Sequence, residues 1–65
     1  MNTINSVYVI WIENFDEDFE VVDETTFLED AIIIAQNYGR EHYKCIWIEE
    51  LDQYGNKVRD IEVED

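Results

Sequence analysis

Two short apolar runs dominate the chain, Val7 to Glu13 and Lys44 to Leu51. Both are rich in β-branched and aromatic residues, which suit the pleated surface of a sheet. Successive strand residues point to opposite faces, and both sets of the first run are apolar: Val7, Val9 and Trp11 on one face, and Tyr8, Ile10 and Ile12 on the other. A strand that is apolar on both faces belongs in the middle of a sheet.

The first run is partly repeated in the second, because Ile10-Trp11-Ile12-Glu13 recurs as Ile46-Trp47-Ile48-Glu49. Weaker similarity continues, with Phe15-Asp16 against Leu51-Asp52 and residues 19–23 against 61–65. The pattern predicts two hairpins, in which the apolar runs pair with charged strands at Phe19 to Asp23 and Val58 to Val63. Charged strands fit sheet edges, where carboxylates discourage aggregation. The repeat leaves the strand order open, with the first and third strands or another pair at the centre.

Between the hairpins, residues 27–38 have the periodicity of a helix. Thr26 and Glu29 form a capping-box pattern at its start, and Gly39 is suited to end it. The predicted packing stripe consists of Phe27, Leu28, Ala31, Ile34, Ala35 and Tyr38. Ile33 lies on the opposite side, where a single exposed apolar residue needs no special cause, although a dimer or partner contact is the alternative.

These elements predict one α+β domain over residues 1–65, of order β-β-α-β-β. The first hairpin covers 7–23, the helix 27–38 and the second hairpin 44–64, giving a four-stranded, largely antiparallel sheet with the helix on one face. High net charge is also a mark of intrinsic disorder. However, 46% hydrophobic residues, 14% aromatic residues and the absence of proline favour a folded domain.

Charge is the most unusual property of the composition. The chain has 17 Asp and Glu against four Lys and Arg, a formal net charge of −13, and the first basic residue is Arg40. Residues 13–30 hold nine acids and no base, residues 31–48 one acid, and residues 49–65 seven acids. Nucleic acid as a direct ligand is therefore not expected, since phosphate contacts need clustered cations. Anionic lipid headgroups would repel the same surface.

The sequence offers little for catalysis. Nucleophilic catalysis needs a thiol, a base and a third group that orients the base. His42 and Cys45 are the sole histidine and cysteine, and we expect a surface histidine and a half-buried strand cysteine rather than a reactive pair. The chain is predicted not to be an enzyme and to need no cofactor.

A metal site is not predicted either, although four acids lie together in Asp16, Glu17, Asp18 and Glu20. A calcium-binding EF-hand loop starting at Asp16 needs glycine at its sixth position and glutamate at its twelfth. The chain has Val21 and Phe27 there, so the motif fails.

Three features indicate a cytoplasmic location. A lone cysteine cannot form an internal disulfide, and the first residues lack the basic segment and cleavage site of a secretory signal. No apolar run approaches the roughly 20 residues that a membrane-spanning helix needs.

The acids suggest a surface that imitates nucleic acid. Strand residues i and i+2 lie about 6.6 Å apart on one face, so Glu20 with Glu24, and Glu62 with Glu64, would form rows of negative charge. If the two hairpins converge, their acids meet around one end of the domain, with two aromatic residues near the turns as anchors. The predicted partner-binding residues are Glu13, Phe15, Asp16, Glu17, Asp18, Glu20, Asp23, Glu24, Glu49, Glu50, Asp52 and Tyr54.

In size, acidity and β-rich form, the chain resembles the small acidic inhibitors of phages and mobile elements: anti-CRISPR proteins, anti-restriction DNA mimics and uracil-DNA glycosylase inhibitors. The resemblance covers the whole chain loosely and includes no diagnostic motif, so no residue role is transferred from it. It implies that the acidic surface occupies a basic nucleic-acid groove on a host defence or repair protein and inhibits that protein.

A generic protein-interaction or regulatory module is the alternative. Such a module would dock through Ile33, Trp11 or Trp47, while its acidity serves solubility. The sequence leaves open whether the chain is a monomer or a homodimer.

Overall fold

A computed structural model describes residues 6–38 and 43–63. The elements in chain order are β1 (Val7–Glu13), β2 (Phe19–Thr25), α1 (Leu28–Asn37), β3 (Cys45–Leu51) and β4 (Lys57–Glu62). All neighbouring strands pair antiparallel in the order β2-β1-β3-β4, and α1 packs on one face. The predicted α+β fold is confirmed, with the apolar strands β1 and β3 at the centre and the charged strands β2 and β4 at the edges.

The centre of the sheet is formed by the Ile-Trp-Ile part of the repeat, which pairs with itself. Three pairs of opposite residues have the same residue type: Ile10 with Ile48, Trp11 with Trp47, and Ile12 with Ile46. Because β1 and β3 run antiparallel, the two hairpins are related by an approximate two-fold axis that passes between Trp11 and Trp47. The sequence repeat thus becomes a structural one.

The hydrophobic core lies between this centre and α1. Its buried residues are Ile10, Ile12, Ala31, Ala35, Ile46, Ile48 and Val63. The two alanines are fully buried, and their small side chains allow the helix to approach the four isoleucines closely. The sheet face that carries the isoleucines is therefore covered, while no helix of the described residues packs on the face that carries the tryptophans.

The helix begins later than its capping pattern predicts. Phe27 is the N-cap residue with an extended backbone, and no side chain caps the first turn. The hydroxyl of Thr25, not that of Thr26, accepts a hydrogen bond from the backbone N–H of Phe27 at 3.3 Å. The capping-box prediction is therefore wrong. The threonine hydroxyl that binds the backbone here is that of Thr25, and it forms a local turn before the helix instead of capping the first helical turn.

Two further helix predictions have opposite outcomes. Phe27 is 65% exposed and does not join the packing stripe, because its backbone is extended rather than helical. Ile33 is 54% exposed, as its position opposite the stripe predicts. Gly39, the predicted helix end, lies outside the described residues.

The two hairpin turns share one geometry. In each, the side-chain oxygen of the first residue, Asn14 or Asp52, accepts hydrogen bonds from the backbone N–H groups two and four residues later. The fourth residue of each turn has a positive φ, 67° at Glu17 and 85° at Gly55. Asn14 is thus the structural equivalent of Asp52, whereas sequence similarity aligns Asp16 with Asp52. The second hairpin is longer because β3 extends two residues past the repeat before its turn begins.

The turn equivalence predicts opposite effects of two substitutions. We expect Gly55→Ala to lower the free energy of unfolding by about 1 kcal/mol, because a Cβ disfavours the left-handed region. Glu17→Gly should be neutral or slightly stabilising. It relieves the same backbone strain in the folded state, but it also raises the conformational entropy of the unfolded state. Urea unfolding monitored by circular dichroism measures both changes. Equal effects of the two substitutions would contradict the equivalence.

Candidate partner-binding surface

Eight exposed carboxylates line one side of the molecule, from the β1–β2 turn along β2 to the first turn of α1. We call this set the acidic edge, and its members are Asp16, Glu17, Asp18, Glu20, Asp23, Glu24, Glu29 and Asp30. Strand β2 lies at the sheet edge, and its seven residues extend over about 20 Å. The acids between Asp16 and Asp30 are therefore all exposed, and they follow this sheet edge and the segments that adjoin it.

The described cations lie elsewhere and pair with other acids. The ion pairs are Lys44 with Glu13 at 3.7 Å, Lys57 with Asp60 at 2.7 Å, and Arg59 with Glu50 at 2.6 Å. Within residues 6–38 and 43–63, no lysine or arginine pairs with a carboxylate of the acidic edge. The fold thus separates partly neutralised acids near β3 and β4 from acids with no described cationic partner along β2.

A β-bulge changes the predicted row of charge on β2. The pairing register shifts at Val22, which leaves that residue without an opposite partner on β1. Glu20 therefore shares a face with Asp23 on the helix side, whereas Glu24 faces the other side. The prediction that Glu20 and Glu24 form one row is wrong, because the extra residue reverses the alternation between them.

Glu50 is also not the surface carboxylate that the sequence suggested. It is 9% exposed, and it accepts hydrogen bonds from Arg59 Nε at 2.6 Å and Ser6 Oγ at 2.9 Å. These two hydrogen bonds lower the pKa of Glu50, and the one from Arg59 has the larger effect. Its carboxylate joins β4 and the residue before β1 to β3, so its role is structural.

The acids of the two hairpin turns do not converge. Because β1 and β3 are antiparallel, the β1–β2 and β3–β4 turns lie at opposite ends of the sheet. Asp52 is occupied within its own turn, where the backbone N–H of Asn56 lowers its pKa. The proposed aromatic anchors are exposed, Phe15 by 65% and Tyr54 by 79%, but they too lie at opposite ends. The expectation that these acids gather around one end is wrong, because it required both turns to lie on the same side.

The remaining predicted acids, Glu13 and Glu49, lie on the sheet face opposite α1. We call this side the open face, and its centre consists of Val9, Trp11, Phe19, Val21, Trp47 and Glu49. Glu49 accepts a hydrogen bond from Trp11 Nε1 at 2.9 Å. Glu62 lies opposite Trp47 on β4, whereas Glu64, its predicted partner in a row, lies outside the described residues.

Three aromatic rings meet on the open face. Trp11 and Trp47 are nearly parallel, with ring centroids 6.2 Å apart and an interplanar angle of 7°. Phe19 meets Trp47 edge-on at 5.8 Å. The repeated tryptophan indicates the first contact in the sequence, whereas the Phe19 contact was not predicted because it depends on the register of β2.

The described residues offer few other reactive groups. No cluster of three or more His, Cys, Asp or Glu side chains within them has the arrangement to hold a metal ion. Cys45 is exposed rather than half-buried, because it begins β3 opposite Glu13, on the sheet face away from α1. His42 lies outside the described residues.

Neither a membrane-spanning helix among the described residues nor a related protein points to a function for these surfaces. No helix in the described segments combines the length and apolar character needed to cross a membrane. Comparisons with protein-family models, curated proteins and solved structures gave no match.

The Glu50 contacts predict a specific dependence of stability on pH. At pH 7 we expect the wild type to have a larger free energy of unfolding than Glu50→Gln. The folded-state pKa of Glu50 is lowered from 4.5, so this advantage is complete above that value and disappears as the pH falls through the lowered pKa. Urea unfolding between pH 7 and pH 3 measures it.

The matched control is Glu20→Gln, an exposed substitution expected to change stability by less than about 0.5 kcal/mol at pH 7. A difference between wild type and Glu50→Gln that stays constant over the whole pH range would contradict the structural role of the ionised carboxylate.

Proposed function

We propose that this chain is a non-catalytic inhibitor that binds a basic, nucleic-acid-handling protein and occupies its nucleic-acid groove. The observation that supports this proposal is the acidic edge, whose eight exposed carboxylates have no cationic partner among the described residues. We also propose that it acts in the cytoplasm, where host defence and repair proteins of this kind would meet it.

The geometry of the acidic edge suits a groove built for phosphates. Duplex DNA presents one phosphate per 3.4 Å of rise on each strand, and a protein that binds it carries clustered lysines and arginines. Side chains on β2 and the adjoining turns present negative charge over about 20 Å, a length along which a DNA strand presents several phosphates. They do so without nucleobases. Electrostatic attraction of this kind also speeds association and weakens as salt concentration rises.

Solubility alone explains the distribution of charge less well. A solubilising surface needs excess charge but no separation of acids from bases. In this fold, Lys44, Lys57 and Arg59 all contact acids outside the acidic edge. Self-repulsion along β2 opposes the compact state, and a basic partner would relieve it. The proposed role is that of the small acidic inhibitors that the chain resembles.

A second candidate function is a protein-interaction module that docks through apolar surface. The exposed aromatic residues favour it, because Phe19 and Phe27 are 58% and 65% exposed and Ile33 is 54% exposed. Binding by such a module should respond little to ionic strength, whereas binding through the acidic edge should weaken steeply.

The two functions are separated by neutralising matched pairs of acids. The edge variant is Glu20→Gln with Asp23→Asn, and the control is Glu64→Gln with Asp65→Asn, two acids that are not members of the acidic edge, so both variants have the same net charge. Each tagged protein captures partners from a lysate at low salt, and bound proteins are eluted with salt or with duplex DNA and identified by mass spectrometry.

We expect the wild type and the control to retain a basic nucleic-acid-binding protein that DNA displaces. The edge variant should bind that protein about 2- to 30-fold more weakly, which corresponds to about 0.2–1 kcal/mol for each of two lost ion pairs. A captured protein that resists salt and DNA, or equal weakening by both variants, would contradict the proposed role of the acidic edge.

A further inference from the structure

The open face leaves aromatic surface uncovered at the centre of the sheet. Trp11 and Trp47 are partly exposed there, Phe19 is 58% exposed and Val21 is 48% exposed. These residues are contiguous, because Val21 lies opposite Trp11, which lies opposite Trp47. Contiguous exposed apolar surface surrounded by polar residues is typical of an interaction site.

The edges of this aromatic surface are negatively charged. Five carboxylates lie on the same side of the sheet, namely Glu13, Glu24, Glu49, Asp60 and Glu62. Two ammonium groups accompany them, Lys44 beside Glu13 and Lys57 beside Asp60, which leaves an excess of three negative charges. A second copy of the chain would bring the same excess, so charge complementarity favours a cationic occupant over self-association.

An open groove of about 410 Å³ runs across the rings, lined by Trp11, Phe19, Trp47, Glu49, Lys57 and Asp60. Within it, Trp11 Nε1 donates to one carboxylate oxygen of Glu49, Oε1. This bond orients the carboxylate, and no described hydrogen bond reaches its other oxygen, although the Lys57 ammonium group attracts the Glu49 carboxylate electrostatically. Trp47 and Glu49 lie two residues apart on one strand face, about 6.6 Å along it, so one flat group can contact both.

Among cationic side chains, arginine matches this arrangement better than lysine. The guanidinium group is planar, stacks on aromatic rings and is weakly hydrated, and it also pairs with carboxylates through several N–H groups. Lysine carries a compact, strongly hydrated charge that offers no flat surface.

We propose that the open face binds an arginine side chain of the basic partner, with the guanidinium group against Trp47 and paired with Glu49. This inference rests on the proposed function, since it specifies how the same partner would contact a second side of the sheet. It adds a preference for arginine over lysine that charge along the acidic edge cannot supply.

The test uses two peptide probes of equal charge, one with arginine and one with lysine, each alternating with glycine. Their affinities are measured by tryptophan fluorescence, and NMR follows the indole N–H signals of Trp11 and Trp47. We expect the arginine peptide to bind about two- to fivefold more tightly and to move both indole signals. Equal affinities, or shifts confined to residues of the acidic edge, would overturn the proposal.

Two variants with matched controls localise the preference. Trp47→Leu keeps an apolar side chain but removes the ring, and it should abolish the preference for arginine, whereas Tyr54→Leu at the distant β3–β4 turn should leave it intact. Glu49→Gln keeps an acceptor for Trp11 but removes the charge, and it should weaken arginine binding more than Glu62→Gln does. If Trp47→Leu fails to fold, the comparison of the two peptides on the wild type still tests whether the open face prefers arginine to lysine.

The outcomes also separate this inference from the proposed function. Loss of the arginine preference while the acidic edge still competes with DNA for its partner would overturn the inference alone. Arginine-selective binding to the open face without such competition would leave the inference standing and remove the proposed function. Indole signals that shift with protein concentration in the absence of peptide would instead show that a second copy covers the face, and would overturn the inference.

Discussion

The pairing of the Ile-Trp-Ile repeat with itself is the constraint on which the rest of the structure depends. In register, Ile10 and Ile48 lie together beneath the helix, and Trp11 and Trp47 lie together on the opposite side. A slip of one residue would place each side chain of the slipped strand on the wrong face. The buried core therefore fixes the register, and the register in turn fixes which residues remain at the surface.

The distribution of charge follows from the same pairing. With β1 and β3 at the centre, β2 and β4 become opposite edges. The basic residues Lys57 and Arg59 belong to β4, so they neutralise acids on that half and are separated from β2 by two strands. An acidic edge without described cationic partners is thus a consequence of strand order, and the aromatic open face is a consequence of register. Both surfaces exist because one short repeat pairs with itself.

Most of the fold could be predicted from local pattern, and most of the site could not. Apolar residues on both faces identified β1 as central and helical periodicity identified α1, because both patterns are encoded within a few residues. The bulge at Val22, the exposure of Phe27 and the burial of Glu50 escaped prediction. Each depends on a partner distant in sequence or on a competing local turn: Glu50 is buried because Arg59 of β4 and Ser6 before β1 come to it. The net charge of a sequence therefore indicates how strong the electrostatic repulsion in the folded state is, but it does not indicate which acids lack a cationic partner.

The most direct test of this account is the cross-strand pattern of nuclear Overhauser contacts in the free protein. The account predicts contacts between the Trp11 and Trp47 rings, whose centroids are 6.2 Å apart, and contacts of Ile10 with Ile48. Contacts that instead place Trp11 opposite Ile46 or Ile48 would reveal a register slip. That result would contradict the assignment of both faces of the sheet, and with it the origin of the acidic edge and the open face.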